Sequence, residues 1–261
     1  MYPYLDLSFI KIPLYGVMIA TAYLVSSYYL IKKSKKAGFD RKIISDLIFF
    51  IVVGGFIGAK ILYIITFFNY FGDSFIEKLS NIFSFDTLKA GFVFYGGFLG
   101  GFISAWIFVK KKGLNFWKIS DFFAPAIALA HSIGRLGCFF AGCCHGGPTD
   151  SIFGVRFTNP MCEVNPQLLG EKIHPTQLYE SSGNFLIFVI LNFVYYKKKL
   201  TDGGVILLYI ILYSGLRFTV EFFRGDDRGG FLLGFSQGQI ISVVAFIISL
   251  TILIVRNYGR K

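Results

Sequence analysis

Residues 134–146, GRLGCFFAGCCHG, end a long apolar stretch with one arginine, three cysteines and a histidine. Arg135 falls inside a lipid-compatible segment, where a charge costs roughly 2.5–3.5 kcal/mol and is expected to have a partner and a task. His131 lies four residues earlier, on the same helical face. A second stripe, Tyr213, Arg217 and Glu221, recurs every four residues, and Arg224 extends it. Guanidinium groups form bidentate bonds to phosphate oxygens, so two arginines from different helices at one depth suit a phosphate. The abundant phosphate at such a depth is a phospholipid headgroup. Arg217 and Glu221 at this spacing could also simply neutralise each other, and His131 could be a packing residue between helices.

Further polar residues fall near the ends of apolar segments: Tyr15 beside Gly16, Tyr95, and His174 with Tyr179. The four cysteines are Cys138, Cys143, Cys144 and Cys162. Three readings stay open for them. They are disulfide candidates, most simply Cys162 with one of the others, in an oxidising compartment. They are alternatively small semi-buried packing residues, or metal ligands with His145 or His174. The adjacent Cys143–Cys144 pair lacks the usual CxxC ligand spacing, so no metal is expected.

These residues must be positioned by membrane helices. The chain has 261 residues, 54% hydrophobic and 16% charged, where a soluble domain carries about a quarter charged residues. Apolar runs near 13–31, 45–66, 91–109, 117–137, 177–196, 203–222 and 237–255 approach the ~20 residues a bilayer requires. The expected fold is therefore an all-α integral membrane protein, a single domain over 1–261 with about seven transmembrane helices. The long connections 67–90 and 138–176 lie on its outer side. The first run lacks a basic leader and a cleavage site, so it is expected to remain as a helix.

The lysines and arginines orient the chain. One set of connections and the C-terminus carry Lys32, Lys33, Lys35, Lys36, Arg41, Lys42, Lys110, Lys111, Lys112, Lys118, Lys197, Lys198, Lys199, Arg256, Arg260 and Lys261. The other side carries Lys11, Lys78, Lys89, Arg156, Lys172, Arg224 and Arg228. The positive-inside rule then puts the N-terminus outside and the C-terminus in the cytoplasm. The net charge of +11 reads as topology and contact with anionic lipid, and no nucleic-acid partner is expected. Lys60 lies within a span and reads as a side chain snorkelling to the headgroups. Gly54 and Gly58, Gly96 and Gly100, and Gly97 and Gly101 have the small-xxx-small spacing of close helix packing.

Seven segments taken together resemble the bacterial prolipoprotein diacylglyceryl transferases over nearly the whole chain. They are IPLYG at 12–16, FYGGFLGG at 94–101, DFFAPAIA at 121–128, GRLGCFFAGCCHG at 134–146, HPTQLYE at 174–180, YSGLRFTVEFFR at 213–224 and GQIIS at 238–242. The resemblance implies transfer of the diacylglyceryl group of phosphatidylglycerol to the lipobox cysteine in the signal peptide of a prolipoprotein, with release of glycerol phosphate. It implies a multi-pass protein of the bacterial cytoplasmic (inner) membrane, with its site towards the outer leaflet and membrane lipid around it. It carries over the phosphate-binding arginines onto Arg135 and Arg217, and the tyrosines onto Tyr15 and Tyr213. The acidic residue and arginine that follow match Glu221 and Arg224.

Two positions depart from the common signature, Cys138 for Asn and Cys143 for Glu, and Tyr95 stands where a histidine is often proposed as catalytic. A cysteine-rich subgroup is the preferred explanation, and the base stays open among His131, Tyr95, His145 and His174. Catalytic candidates are thus Arg135, Arg217, Tyr95, His131 and Tyr15. Substrate-binding candidates are Arg135, Arg217, Tyr213, Glu221, Arg224, His174 and Tyr179. No cofactor is expected. The alternatives are a related transferase with another thiol acceptor or lipid donor, and a lipid-phosphate transporter.

Overall fold

The computed structural model describes residues 2–7, 11–89, 91–197, 200–226 and 234–258. Lys198, Lys199, Arg228, Arg260 and Lys261, used above to orient the chain, lie outside the described residues. The fold is all-α apart from two short antiparallel ribbons. The long helices are α1 (Leu14–Ser34), α2 (Arg41–Thr66), α5 (Phe94–Lys111), α6 (Phe116–Ala141), α7 (Thr176–Lys197), α8 (Gly204–Glu221) and α9 (Gln237–Tyr258). Two short helices, α3 (Phe75–Ile82) and α4 (Phe85–Lys89), occupy the first long connection. The ribbons pair β1 (Tyr4–Asp6) with β2 (Lys11–Pro13), and β3 (Val155–Arg156) with β4 (Lys172–Ile173).

Among the described residues, six helices are long and apolar enough to cross a membrane: Leu14–Ala37, Arg41–Thr66, Phe116–Ala141, Thr176–Lys197, Gly204–Glu221 and Gln237–Arg256. The expected run at 91–109 becomes α5, which has 18 residues and closes on Lys110 and Lys111. Those lysines and four glycines lower its mean hydropathy. Large apolar side chains on the outer faces of α2 and α9, such as Phe49, Phe56, Ile247 and Val255, are exposed. Such surface suits hydrocarbon.

The chain divides into two compact units, residues 31–119 and residues 1–30 with 120–261. In the first, α2 packs on α5 through the glycines that the sequence singles out. A Cβ on Gly58 would fall inside van der Waals contact of the Gly96 carbonyl, and one on Gly100 would meet the Gly54 carbonyl. Only glycine allows that approach. Lys60 donates to the carbonyls of Thr87 and Gly91 and lies 4.6 Å from the Phe92 ring centroid. Its charge is therefore spent on carbonyls of α4 and of the connection after it, where snorkelling to headgroups was expected.

In the second unit α7 packs on α8, and α8 on α9. Ala124 and Ala128 of α6 share a core with Ile187 and Leu191 of α7 and Val205 and Tyr209 of α8. Asp121 of α6 accepts from the backbone N–H groups of Gly203 (2.7 Å), Val205 (2.9 Å) and Ile206 (2.9 Å), capping α8 from a neighbouring helix. Ser132 and Ser181 exchange hydroxyl-to-carbonyl bonds of 2.8 and 2.9 Å, which lock α6 to α7. The far end of α6, the start of α7 and the end of α8 come together at one end of this unit.

Candidate active site

Backbone bonds knit three motifs into one scaffold. Gly146 N–H donates to His174 O and His174 N–H to Gly147 O, each at 3.0 Å. Gly147 N–H donates to Phe223 O at 3.0 Å, and Gly225 N–H to His145 O at 3.2 Å. The strands of chain approach so closely that a Cβ on Gly146 would lie 2.5 Å from the His174 Cβ, and one on Gly225 2.6 Å from the Gly147 Cα. The cysteine turn is clamped from α7: Thr176 Oγ1 donates to Cys144 O (2.8 Å) and Gln177 Nε2 to Cys143 O (2.7 Å).

Above this scaffold sits a buried charge cluster centred on Glu180, the last residue of HPTQLYE. Glu180 is fully buried. Arg135 Nη2 lies 2.8 Å from Glu180 Oε2, and Arg217 Nε and Arg224 Nη1 lie 3.9 Å from its oxygens. The Arg135 contact is short but not aligned as a hydrogen bond, and among the described residues neither Glu180 oxygen has a hydrogen-bond partner. Arg217 Nη2 also pairs with Glu221 Oε2 at 2.5 Å, and Ser236 Oγ donates to Glu221 Oε1 at 2.8 Å. Arg224 grips Asp226 bidentately, with Nε and Nη2 each at 2.8 Å. Three guanidinium groups thus face three carboxylates. Nη1 of Arg217 and Nη1 of Arg224 are buried and without a hydrogen-bond acceptor among the described residues. Buried charged donors in that condition call for an anionic or strongly polar occupant.

The sequence candidates distribute clearly. Arg135, Arg217, Arg224, Glu221, Tyr213 and His131 meet in this cluster. His131 Nε2 accepts from Arg135 Nε at 3.4 Å, its Nδ1 faces the Tyr209 hydroxyl at 3.5 Å, and its ring lies 4.8 Å from that of Tyr213. Both nitrogens face a partner, so His131 orients Arg135. The i,i+4 pairing of Arg217 with Glu221 does form, which makes Glu221 a partner of an arginine. His174 Nδ1 lies 3.1 Å from the Tyr179 hydroxyl, and both rings pack on Phe223. Tyr15 lies against α6, where a Cβ on Gly137 would sit 3.3 Å from its ring. Tyr95 belongs to the other unit, in the first turn of α5, with its ring against Phe94. His145 is buried, with Nδ1 on Gly146 O and Nε2 accepting from Asn165 N–H, which fixes it as a structural residue of the loop.

All four cysteines are thiols. Cys162, the simplest disulfide candidate, is a thiol buried with Phe157, Val164 and Ile173. The sulfurs of Cys138, Cys143 and Cys144 lie within 4.8 Å of one another. Hydrogen bonds from Cys138 and Cys143, followed by one from Arg224, hold the Cys144 thiol well below the usual range. Cys143 is pushed up by the same sharing with Cys138 and Cys144 and by burial.

Of the three carboxylates, sequence reasoning missed Asp226, just past YSGLRFTVEFFR, and Glu180. The signal of Glu180 was present, since a carboxylate inside an apolar span is as informative as an arginine there.

Residues 4–255 match the family model for prolipoprotein diacylglyceryl transferase. A phosphatidylglycerol–prolipoprotein diacylglyceryl transferase of Clostridium tetani is 38% identical over 253 residues, covering 97% of this chain and 96% of that protein. Proteins of the same name from Staphylococcus haemolyticus and Finegoldia magna are 36% and 32% identical, over 95% and 91% of this chain and 85% and 88% of their own.

Proposed function

The chain belongs to the prolipoprotein diacylglyceryl transferase family, and we propose that it moves the diacylglyceryl group of phosphatidylglycerol to the lipobox cysteine of a prolipoprotein. The sulfur of that cysteine attacks the glycerol carbon that bears the phosphate ester. A C–S bond forms, the C–O bond breaks with its electron pair going to the phosphate oxygen, and glycerol phosphate leaves. The nucleophile belongs to the substrate, and a thiol of pKa near 8.5 is already a few per cent ionised at pH 7. His174 takes the remaining proton, because both nitrogens of His131 and of His145 face partners.

One observation carries the reading: Arg217 and Arg224 keep buried Nη1 donors without acceptors beside Arg135 and Glu180. The phosphodiester brings one negative charge, and the leaving monoester approaches two, its second pKa being about 6. Donors fixed around the phosphate therefore stabilise the transition state more than the bound lipid. Tyr213 and His131 hold Arg135, Glu221 holds Arg217, and Asp226 holds Arg224. We place the N-terminus outside, with α5 counted as a seventh span, and the site at the outer leaflet of the bacterial inner membrane. The lysine and arginine asymmetry supports that orientation.

The test is a mass spectrum of a lipobox peptide incubated with the purified chain and phosphatidylglycerol. The expected product is a peptide heavier by one diacylglyceryl group, with glycerol phosphate released. An unmodified peptide, together with lipid carried from one leaflet to the other, would refute transfer in favour of transport.

A further inference from the structure

The transfer step leaves three thiols without a task. Cys138, Cys143 and Cys144 bring their sulfurs within 4.8 Å of one another. Tetrahedral zinc holds thiolates at about 2.3 Å, which sets bound sulfurs about 3.8 Å apart, so closure on an ion needs shifts of only about an ångström. The turn that gathers the thiols is held in a costly shape. Cys144 has φ 60°, a left-handed conformation that non-glycine residues adopt only where their surroundings impose it. Thr176 and Gln177 impose it by binding the carbonyls of Cys144 and Cys143.

Charge and coordination number agree with a metal. Three thiolates around a dication carry a net charge of minus one. The Arg224 guanidinium acts electrostatically on the Cys144 sulfur, and Arg135 lies three residues before Cys138 on the same face of α6. Among the described residues no histidine or carboxylate joins the three sulfurs. His145, the nearest in sequence, is engaged at both nitrogens. Three protein ligands with an open fourth position mark catalytic rather than structural zinc sites.

We propose that Cys138, Cys143 and Cys144 bind one thiophilic dication of the Zn2+ class, and that the acceptor cysteine takes its fourth position. The proposal rests on the transferase reading above. Coordination keeps the acceptor sulfur deprotonated at neutral pH, its proton passing to His174. The bound sulfur then attacks the glycerol carbon, the C–O bond breaks towards phosphate, and the thioether, a weaker ligand, departs. No oxidation state changes.

The full chain, reduced and in phosphatidylglycerol nanodiscs, is titrated with Co2+ as a spectroscopic substitute for Zn2+. One ion per chain is expected, with a thiolate-to-cobalt charge-transfer band that strengthens when lipobox peptide is added and not when its cysteine is replaced by serine. Cys143→Ser loses the band, whereas Cys162→Ala, outside the triad, keeps it. The peptide response of the unaltered chain decides the matter even if Cys143→Ser fails to fold. Chelation slows transfer by about 10–30-fold, approaching the ratio of a fully ionised thiol to one of pKa 8.5 at pH 7, and Zn2+ restores it. No stoichiometric metal, a band indifferent to the peptide, or full transfer by metal-free chain would each overturn the proposal, and the last would leave the transferase reading intact. A peptide-dependent band with no adduct under any condition would support the metal site and remove the transferase reading.

Discussion

Glu180→Gln probes the centre of the cluster. The substitution keeps size and shape and removes one charge. At an effective dielectric of 20, a carboxylate 2.8 Å from Arg135 and 3.9 Å from Arg217 and Arg224 gains about 6 and about 4 kcal/mol per pair before desolvation is subtracted. Desolvation offsets much of that gain, and removing one partner of a buried ion pair costs about 3–5 kcal/mol net. Such a loss lowers the melting temperature by roughly 6–20 °C at this chain size. Loss of helical circular dichroism on heating in detergent measures it. Turnover of the folded fraction should also fall about 100-fold, the usual result of misplacing groups near a reacting centre by an ångström. Glu180→Asp restores the charge and part of the stability. If Glu180→Gln melts and turns over like the unaltered chain, the arginines do not depend on this carboxylate, and the site has been assembled wrongly.

On the proposed mechanism Arg135→Ala and Arg217→Ala each remove a transition-state donor, worth about 3 kcal/mol or more, so initial rates of peptide modification should fall at least about 100-fold. Asp121→Ala strips the amide of Gly203 and two α8 amides of their acceptor; thermal unfolding should show a loss of at least about 2 kcal/mol, with turnover of the folded chain unchanged. Gly58→Leu drives a side chain into the Gly96 backbone, and overpacking of about 1–3 kcal/mol or more should appear as a lower melting temperature.

Most of the site was legible because charges and glycines stand out in an apolar chain. Arg135, Arg217 and Arg224 are conspicuous for their cost in lipid, and the glycine pairs of α2 and α5 for their four-residue spacing. What escaped did so for physical reasons. Glu180 was passed over because HPTQLYE was read for its histidine and tyrosine. The pairing proposed for Cys162 rested on compartment, whereas the structure has it as a thiol buried with Phe157 and Ile173. The reach of α5 was read from its apolar run, without the two lysines at its end.

The carboxylates explain how such a site avoids trapping its product. Three unopposed arginines would hold glycerol phosphate, with nearly two charges, more tightly than the singly charged lipid it came from. Opposing them with Glu180, Glu221 and Asp226 leaves the pocket near neutrality, so the dianion is favoured as it forms and is not retained afterwards. Of the three, Glu180 has no hydrogen-bond partner among the described residues, which leaves its charge the least shielded by local bonds. Glycerol phosphate should therefore inhibit Glu180→Gln at concentrations at least about tenfold lower than the unaltered chain, about 1.4 kcal/mol, in the peptide assay. Equal inhibition of the two would mean that Glu180 positions the arginines without tempering their field.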